Sequence, residues 1–400
     1  MFLVNVLNFY DRQTLAAILE PLRHEFSLSD TQLGGLFTLF TVVFALAGVP
    51  LGKLADTRSR RSLLAWGIGV WTALTGLAGL AGSYAMLLGT RLGVGIGEAV
   101  CTPAATSWIG DLVPRARRAR AMAMFMMAVP VGIMLSSAIS GPVAQAHGWR
   151  MAMVIAALPG VVLVPAVLWL REPERPAAAA VGGAAEVLPP VFWWIAASGA
   201  VVNFALYSFS TFLPAFLTRY HGMSVGQAGI WSGIGSGVSG ILGAAAAGLL
   251  GDRVRNRLWL AAGASLAAAG PVYAAIRMPA GSAAGAVWLA MLGYGLLQMY
   301  YGLVYAAIQD FVGASMRGRA MALYFAITYL GGASWGPLLT GRLSDWLARR
   351  SGLGAEAARA TGLHDAMYVV PALAVALAGV LWIAGGARFR MTSGEREAST

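Results

Sequence analysis

Apolar residues in this chain come in runs of about 20, and run length decides what such segments can become. A helix needs about 20 mostly apolar residues to cross bilayer hydrocarbon. Runs of that order fall at 1–20, 31–52, 62–82, 85–110, 120–140, 151–170, 191–217, 227–250, 258–276, 284–309, 320–340 and 365–386. Twelve of them in 400 residues leave too little polar surface to coat soluble domains. Charged residues make up 11% of the chain and hydrophobic ones 58%, whereas a soluble domain carries about 25% charged residues. The pattern implies an all-α membrane protein of twelve transmembrane helices. It excludes a disordered chain, a nucleic-acid-binding module and a disulfide scaffold; the single cysteine, Cys101, has no partner for an intrachain bridge. The first run contains Asp11 and Arg12 and is followed by no small-residue cleavage pattern, so it reads as a span and not as a cleavable signal peptide.

The net charge of +11 is mainly an orientation signal. One set of loops (53–61, 111–120, 171–190, 251–257, 310–319 and the tail) holds 18 of the 28 Lys and Arg residues. The opposite set holds 8, and Arg12 and Arg91 lie inside runs. The positive-inside rule therefore places both termini in the cytoplasm, as a multi-pass protein of the cell inner membrane.

The chain also repeats itself. Residues 111–123 recur at 310–322 with seven of 13 positions identical, Asp111, Arg118 and Arg120 matching Asp310, Arg317 and Arg319. Ser29-x-x-Gln32-x-Gly34 recurs as Ser224-x-x-Gln227-x-Gly229, and Gly52-x-x-x-Asp56 as Gly248-x-x-x-Asp252. The offsets are 195 to 199 residues throughout, so the chain divides into two parallel six-helix halves. Residues 1–170 form the first half, 171–190 a Pro-containing cytoplasmic linker, and 191–400 the second half with a short cytoplasmic tail. Ser29 and Ser224 each precede a Gln by three residues, a capping box that starts the second helix of its half.

Two six-span halves with this repeat resemble the major facilitator superfamily. Gly52-Lys-Leu-Ala-Asp56-Thr-Arg58-Ser-Arg60-Arg61 resembles its signature loop between spans 2 and 3, with departures at Thr57 and Ser59, and Arg91-x-x-x-Gly95-x-Gly97 resembles its span 4 motif. A narrower resemblance, to spinster-like transporters, rests on Asn8-Phe-Tyr-Asp11-Arg12, Gly95-Ile-Gly97-Glu98-Ala99, Ala128-Val-Pro130-Val-Gly132, Leu158-Pro-Gly160 and Arg171-Glu-Pro-Glu-Arg175. Spinster-like proteins export sphingolipids or lysolipids. An Asp-Arg pair in span 1 with a Glu in span 4 also occurs among anion:cation symporters of sugar acids. Only ten residues precede Asp11, with no basic tail, so span 1 begins at Met1 or the natural chain starts upstream.

Ionisable groups inside a span cost roughly 2.5–3.5 kcal/mol on insertion scales, so each is a functional candidate. Four qualify: Asp11, Arg12, Arg91 and Glu98. At about 1.5 Å per residue, Asp11, Arg12 and Glu98 fall near one depth, with Arg91 about two turns further out. They suit a proton-coupling cluster, with Glu98 titrating against Arg12, Asp11 sharing or relaying the proton, and Arg91 as a second cation. The same groups would equally serve as a static salt bridge that fixes helix packing.

The superfamily resemblance implies a gating role for Asp56, facing the start of span 11, with Arg60 and Arg61 in the same loop and Asp252 as its repeat partner. A plain capping or topology role would also place them there. The resemblance further implies that spans 1, 4, 7 and 10 line a central cavity. The second half has no charge inside its spans. It offers Asn203, Tyr207 and Thr211 at helical spacing on span 7, and Tyr294, Gln298, Tyr301 and Tyr305 on one face of span 10. These would contact a substrate, or simply bond neighbouring helices.

Three other patterns lead elsewhere. Gly235-x-Gly237-x-x-Gly240 follows no strand, so it reads with Gly229 and Gly233 as helix packing and not as a dinucleotide fingerprint. Gly222-Met-Ser224-Val-Gly226 lacks the strand-to-helix setting of a nucleophile elbow. The four histidines are scattered, which argues against a metal site. No enzyme, cofactor or nucleic-acid partner is expected. The expected partners are the lipid bilayer, protons and an amphiphilic small molecule, handled by a monomer: a proton-coupled secondary transporter of a lysolipid or sphingoid-type amphiphile working by alternating access. A symporter of small organic anions such as sugar acids is the alternative.

Overall fold

The computed structural model describes residues 1–172, 188–312 and 316–397; at positions 56, 115, 116, 118, 119, 123, 317, 318 and 387–397 only the backbone is described. Helices α1 to α16 assemble into twelve rods. In the first half α1 (Phe2–Ala17) and α2 (Leu19–Phe26) make span 1, α3 (Asp30–Thr57) span 2, α4 (Arg60–Ala78) span 3, α5 (Tyr84–Glu98) with α6 (Cys101–Leu112) span 4, α7 (Arg115–His147) span 5 and α8 (Trp149–Trp169) span 6. The second half follows with α9 (Pro190–Arg219), α10 (Val225–Gly251), α11 (Arg257–Arg277) and α12 (Ala283–Phe311) as spans 7 to 10. Span 11 is α13 (Arg317–Thr328), a π-helical turn at Tyr329–Ala333, and α14 (Gly336–Arg350); span 12 is α15 (Ala355–Ala366) and α16 (Val369–Glu397).

Local chemistry explains the helix starts. Ser29 and Ser224 both close complete capping boxes with Gln32 and Gln227, each cap stabilising its helix by about 1 kcal/mol. Pro190 sits in the first turn of α9, where its missing N–H costs nothing. The linker therefore ends at Pro189, and residues 173–187 lie outside the described residues.

Hydropathy misplaces several ends. Span 1 runs on to Phe26, span 11 to Arg350, and span 12 begins at Ala355. The apolar runs stop where charges such as Glu20, Arg23 and Arg342 begin, yet the helices continue because interfacial charges are solvated or paired there. Among the described residues eight helical stretches are long and apolar enough to cross a membrane alone, and spans 1, 3, 4 and 11 are not among them. Three of those four are interrupted: at Ile18, after Glu98, and at the π-helical turn.

The halves are fastened at the end that carries Phe26 and Tyr220. A Cβ on Gly34 of α3 would stand 2.2 Å from the Pro337 carbonyl oxygen of α14, so only glycine permits that approach. Spans 5 and 8 press together similarly, where a Cβ on Gly229 would stand 2.7 Å from the Ser137 carbonyl. The glycines of span 8 are thus packing residues.

Candidate functional site

Spans 1 and 4 bring Arg12 and Glu98 together although 86 residues separate them: Arg12 Nε donates to Glu98 Oε2 at 2.7 Å. Glu98 is fully buried and Arg12 nearly so. The guanidinium carbon of Arg12 lies 4.1 Å from the ring centre of Phe44, 4.9 Å from Phe9 and 5.3 Å from Phe40. A cation over an aromatic face gains about 0.5–2 kcal/mol, most when desolvated, so the aromatic cage helps hold a charge that water cannot reach.

Asp11 and Arg91 share the same interior but are left unsatisfied. Both are buried, and each lies in the electrostatic field of the other and of Glu98. Among the described residues no well-formed hydrogen bond reaches either carboxylate oxygen of Asp11, although the Thr75 hydroxyl is close by, and Nε and Nη2 of Arg91 meet no acceptor. Oε1 of Glu98 and the hydroxyls of Thr72 and Thr75 are also unpartnered. Buried polar groups without partners cost about 1–3 kcal/mol each, more when charged. Such a cluster, behind the Arg12–Glu98 pair, is a place where water or a proton is strongly favoured.

The cluster reaches the other half through rings. Phe44 packs on Tyr329 at 5.8 Å, and Tyr329 meets Tyr207 edge-on at 6.3 Å. Tyr329 stands at the start of the π-helical turn of span 11. Such turns bulge a helix and re-aim its side chains. Sequence reasoning passed over Tyr329, Phe44, Phe40 and Phe9, since nothing in an apolar run marks an aromatic residue as a cation's neighbour.

The wall residues of the second half sort into two groups. Asn203 and Tyr294 are buried; Asn203 donates to the Gly199 carbonyl at 2.9 Å and accepts from the Tyr301 hydroxyl at 3.0 Å. Gln298 donates to the Tyr294 hydroxyl at 3.1 Å. Tyr207, Gln298, Tyr301 and Tyr305 are only partly buried; the Tyr301 and Tyr305 rings meet at a tilt, and Tyr305 meets Tyr324 edge-on. The partly buried set forms the accessible surface, and Asn203 and Tyr294 hold it in place.

The gate residues inferred from the loop motif behave unequally. The Asp56 side chain lies outside the described residues. Arg60 is buried and pairs with Asp111 and, at 3.2 Å, with Glu172, so it ties the loop to spans 4 and 6 of its own half. Glu172 also accepts from the Ser59 hydroxyl at 2.6 Å and the backbone N–H groups of Arg60 and Arg61 at 2.7 and 3.3 Å. Its carboxylate therefore sits on the start of α4, where the helix dipole favours negative charge. Partial burial pulls Glu172 upward, but these donors outweigh it and hold the group below the usual carboxylate range. In the second half Arg257 and Asp310 pair at 2.6 Å, the repeat image of Arg60 and Asp111. Asp252 is 86% exposed and 3.9 Å from Arg257, a loose contact.

The strongest inter-half contact was invisible as such in the sequence. At the fastened end Arg219 of span 7 forks onto Asp30 of span 2, at 2.8 Å to each carboxylate oxygen, and reaches Glu20 of span 1 at 2.6 Å. Ser344 donates to Asp30 at 2.6 Å. Asp345 of span 11 caps the start of span 2, accepting from the N–H groups of Asp30 and Thr31 at 3.0 and 2.9 Å. All of these atoms are buried or partly buried. The only available signal was that Arg219 and Arg23 belong to the set of loops with fewer Lys and Arg residues.

The Major Facilitator Superfamily model matches residues 1–337. An MFS-type efflux pump of Mycolicibacterium smegmatis is 34% identical over 97% of this chain and 91% of its own length. The hexuronate transporter of Bacillus subtilis is 26% identical over 88% of each chain. A crystal structure of a bacterial homologue of the human lysosomal transporter Spinster, inward-facing and unoccupied, superposes with a TM-score of 0.87 at 27% identity, covering 97% of this chain and 96% of that one.

Proposed function

The chain belongs to the Major Facilitator Superfamily, and we propose that it is a proton-coupled transporter that moves a lysolipid or sphingoid-type amphiphile by alternating access. The observation that carries this reading is the asymmetry of the interior. A buried charge cluster (Asp11, Arg12, Arg91, Glu98) lies in one half, and a neutral aromatic wall (Tyr207, Tyr301, Tyr305) in the other, with Arg12 and Tyr329 at the seam. An amphiphile presents the same contrast. Its headgroup would approach Arg12 and its chain would lie on the rings of spans 7 and 10, which offer hydroxyls but no cation.

Coupling follows from competition for Arg12. With Glu98 ionised, the guanidinium is held at 2.7 Å inside its aromatic cage. A proton on Glu98 removes the charge that holds it and frees Arg12 toward the seam. Asp11 would share or relay that proton through water, with Arg91 as a fixed second cation beside it. The Arg219–Asp30–Glu20 cluster and the Asp345 cap would keep the outer end shut, in an inward-open state with both termini in the cytoplasm of a cell with this inner-membrane protein working as a monomer. The inward-facing relative supports that assignment.

Two supports favour a second reading, transport of a small sugar acid: the hexuronate transporter aligns along most of the chain, and Arg12 could bind a carboxylate. One experiment separates them. Thermal shifts with lysophospholipids, sphingoid bases and hexuronates at two pH values would pick the ligand class, followed by proteoliposome flux under an imposed pH gradient. Stabilisation by single-chain amphiphiles and gradient-driven flux that loses its pH response in Glu98→Gln are expected. Flux of hexuronates alone would install the second reading, and an unchanged pH response in Glu98→Gln would remove Glu98 from coupling.

A further inference from the structure

Away from the central cavity, spans 9 and 12 do not close on each other along their outer-facing stretch. Small residues on both sides leave a furrow of about 470 Å³ lined by Gly270 and Tyr273 of α11, and by Tyr368, Pro371, Ala372 and Val375 at and beyond the break in span 12. The lining is almost entirely apolar. A Cβ placed on Gly270 would meet nothing within 4 Å, so the furrow is open there and not filled by a neighbouring side chain. Its outer end is closed by Tyr273 and Tyr368, whose rings lie 5.5 Å apart.

Just beyond that aromatic end stands a cation. Arg277 is exposed, one turn past Tyr273 on the same face of α11. It lies close enough to Tyr368 for its charge to act on that hydroxyl, and no carboxylate pairs with it among the described residues. The nearby Asp365 is engaged by His364 at 2.8 Å. From Val375 to Tyr368 the furrow runs roughly 10 Å along the helix at 1.5 Å per residue. The order, from the middle of the span outward, is apolar furrow, amphipathic tyrosines, unpaired guanidinium. A bilayer phospholipid has the same order: acyl chain, glycerol esters, phosphate. Arg suits a phosphate because its planar fork meets two oxygens at once.

We propose that the furrow between spans 9 and 12 is a binding site for one glycerophospholipid of the surrounding leaflet, with an acyl chain along Gly270 and Ala372 and the phosphate on Arg277. This site is separate from the transport cavity and stands whether or not the transported molecule is a lipid. It makes the lipid a filler for a gap that protein side chains leave open, and so a stabiliser of the packing of span 12 on span 9.

The test is native mass spectrometry of the full chain, purified in mild detergent and titrated with diacyl phospholipid. Wild type is expected to keep one phospholipid that resists detergent longest. Gly270→Leu, which fills the furrow, is expected to lose that bound mass, while Gly263→Leu is expected to keep it. Gly263 is an exposed glycine two turns away on the same helix, whose Cβ also meets nothing within 4 Å. Arg277→Gln is expected to weaken retention of phospholipid without changing binding of uncharged detergent. Melting curves confirm that each variant is folded. Retention of the lipid by Gly270→Leu, equal loss in Gly263→Leu, or a wild type that carries detergent alone would each overturn the proposal.

Discussion

The two halves are built on one pattern and carry opposite chemistry. Arg60 and Asp111 have their images in Arg257 and Asp310, and the capping boxes at Ser29 and Ser224 are alike atom for atom. The interiors diverge. At the offset of 195 residues that pairs Ser29 with Ser224, Asp11 and Arg12 are replaced by Leu206 and Tyr207. At the offset of 199 that pairs Asp111 with Asp310, Arg91 and Glu98 are replaced by Ala290 and Leu297. The two copies share charges at helix ends, and only the first carries charges within the membrane. End charges are solvated or cap helices and serve any member of the fold, whereas an intramembrane charge is costly wherever it has no task. One charged half suffices if the other supplies only a surface.

The largest effects are expected where the unlike halves are bolted together. Arg219→Gln leaves Asp30 and Glu20 buried without their cation, and breaking a buried pair this way costs about 3–5 kcal/mol. That end should open, so a cysteine placed at Ser210 should become reactive to an impermeant thiol reagent added on that side of the membrane. No gain in labelling would mean that the apolar seam, and not this cluster, holds the end shut.

Next comes the charged half itself. Glu98→Gln leaves Arg12 with its rings alone, and a loss of stability of roughly 3 kcal/mol is expected for an unpaired buried charge. Thermal melting with and without the further change Arg12→Gln tests this. The double variant should recover part of the loss, because removing both partners removes the uncompensated charge. If the double variant is worse than either single one, the pair does more than cancel charge.

Below these lies the clamp at the start of span 3. Glu172 has a depressed folded-state pKa, so its contribution is present above the unfolded value of about 4.3 and fades as pH falls through the folded one. Glu172→Gln should lower stability by about 1–2 kcal/mol at neutral pH. Its melting curve should converge with wild type at pH below about 4. A constant gap at all pH values would show that shape, and not charge, matters there.

How much of this was legible in the chain follows from what leaves a trace in residue type. Runs of apolar residues mark spans, and Ser29-x-x-Gln32 marks a helix start, because each is a local physical requirement. Asp11, Arg12, Arg91 and Glu98 stood out because charge within an apolar run is expensive. Their depth also set Glu98 against Arg12; what did not show is that Asp11 and Arg91 are left unsatisfied, because that depends on helix rotation that no local spacing sets. The helix ends were misjudged where Glu20 and Arg23 continue a helix past the hydrocarbon. The lock on Arg219 was hidden because its partners are 189 and 199 residues away and each alone is an ordinary interfacial charge. Tyr329 was hidden because a π-helical turn has no composition of its own.

On the neutral wall the expected effects are small and of a different kind. Tyr301→Phe removes one hydroxyl bond to Asn203, worth about 0.5–1.5 kcal/mol. It should change the KM of transport by roughly two- to tenfold and leave its pH profile where it was. A shifted pH profile would mean that the neutral half takes part in coupling, and the division of labour between the halves would fail.

The smallest effect is expected at Asp252, and its smallness is informative. The motif pairs it with Asp56, so symmetry alone would give both a gating role. The surroundings of Asp252 give it little to hold: it is 86% exposed, with Arg257 at 3.9 Å already committed to Asp310 at 2.6 Å. An exposed pair at that separation contributes about 0–1 kcal/mol, and less in salt. Asp252→Asn should therefore leave both melting and transport rate unchanged, while Asp310→Asn, which leaves Arg257 only the Gly251 carbonyl and the loose Asp252 contact, should lower the melting temperature. Asp56→Asn supplies the comparison, and slowed transport is expected there if the gating role implied by the motif holds. If Asp252→Asn slows transport as much as Asp56→Asn does, the carboxylate must be recruited in the alternate conformation. The two halves would then share their gate as well as their frame, leaving only the intramembrane charges to tell them apart.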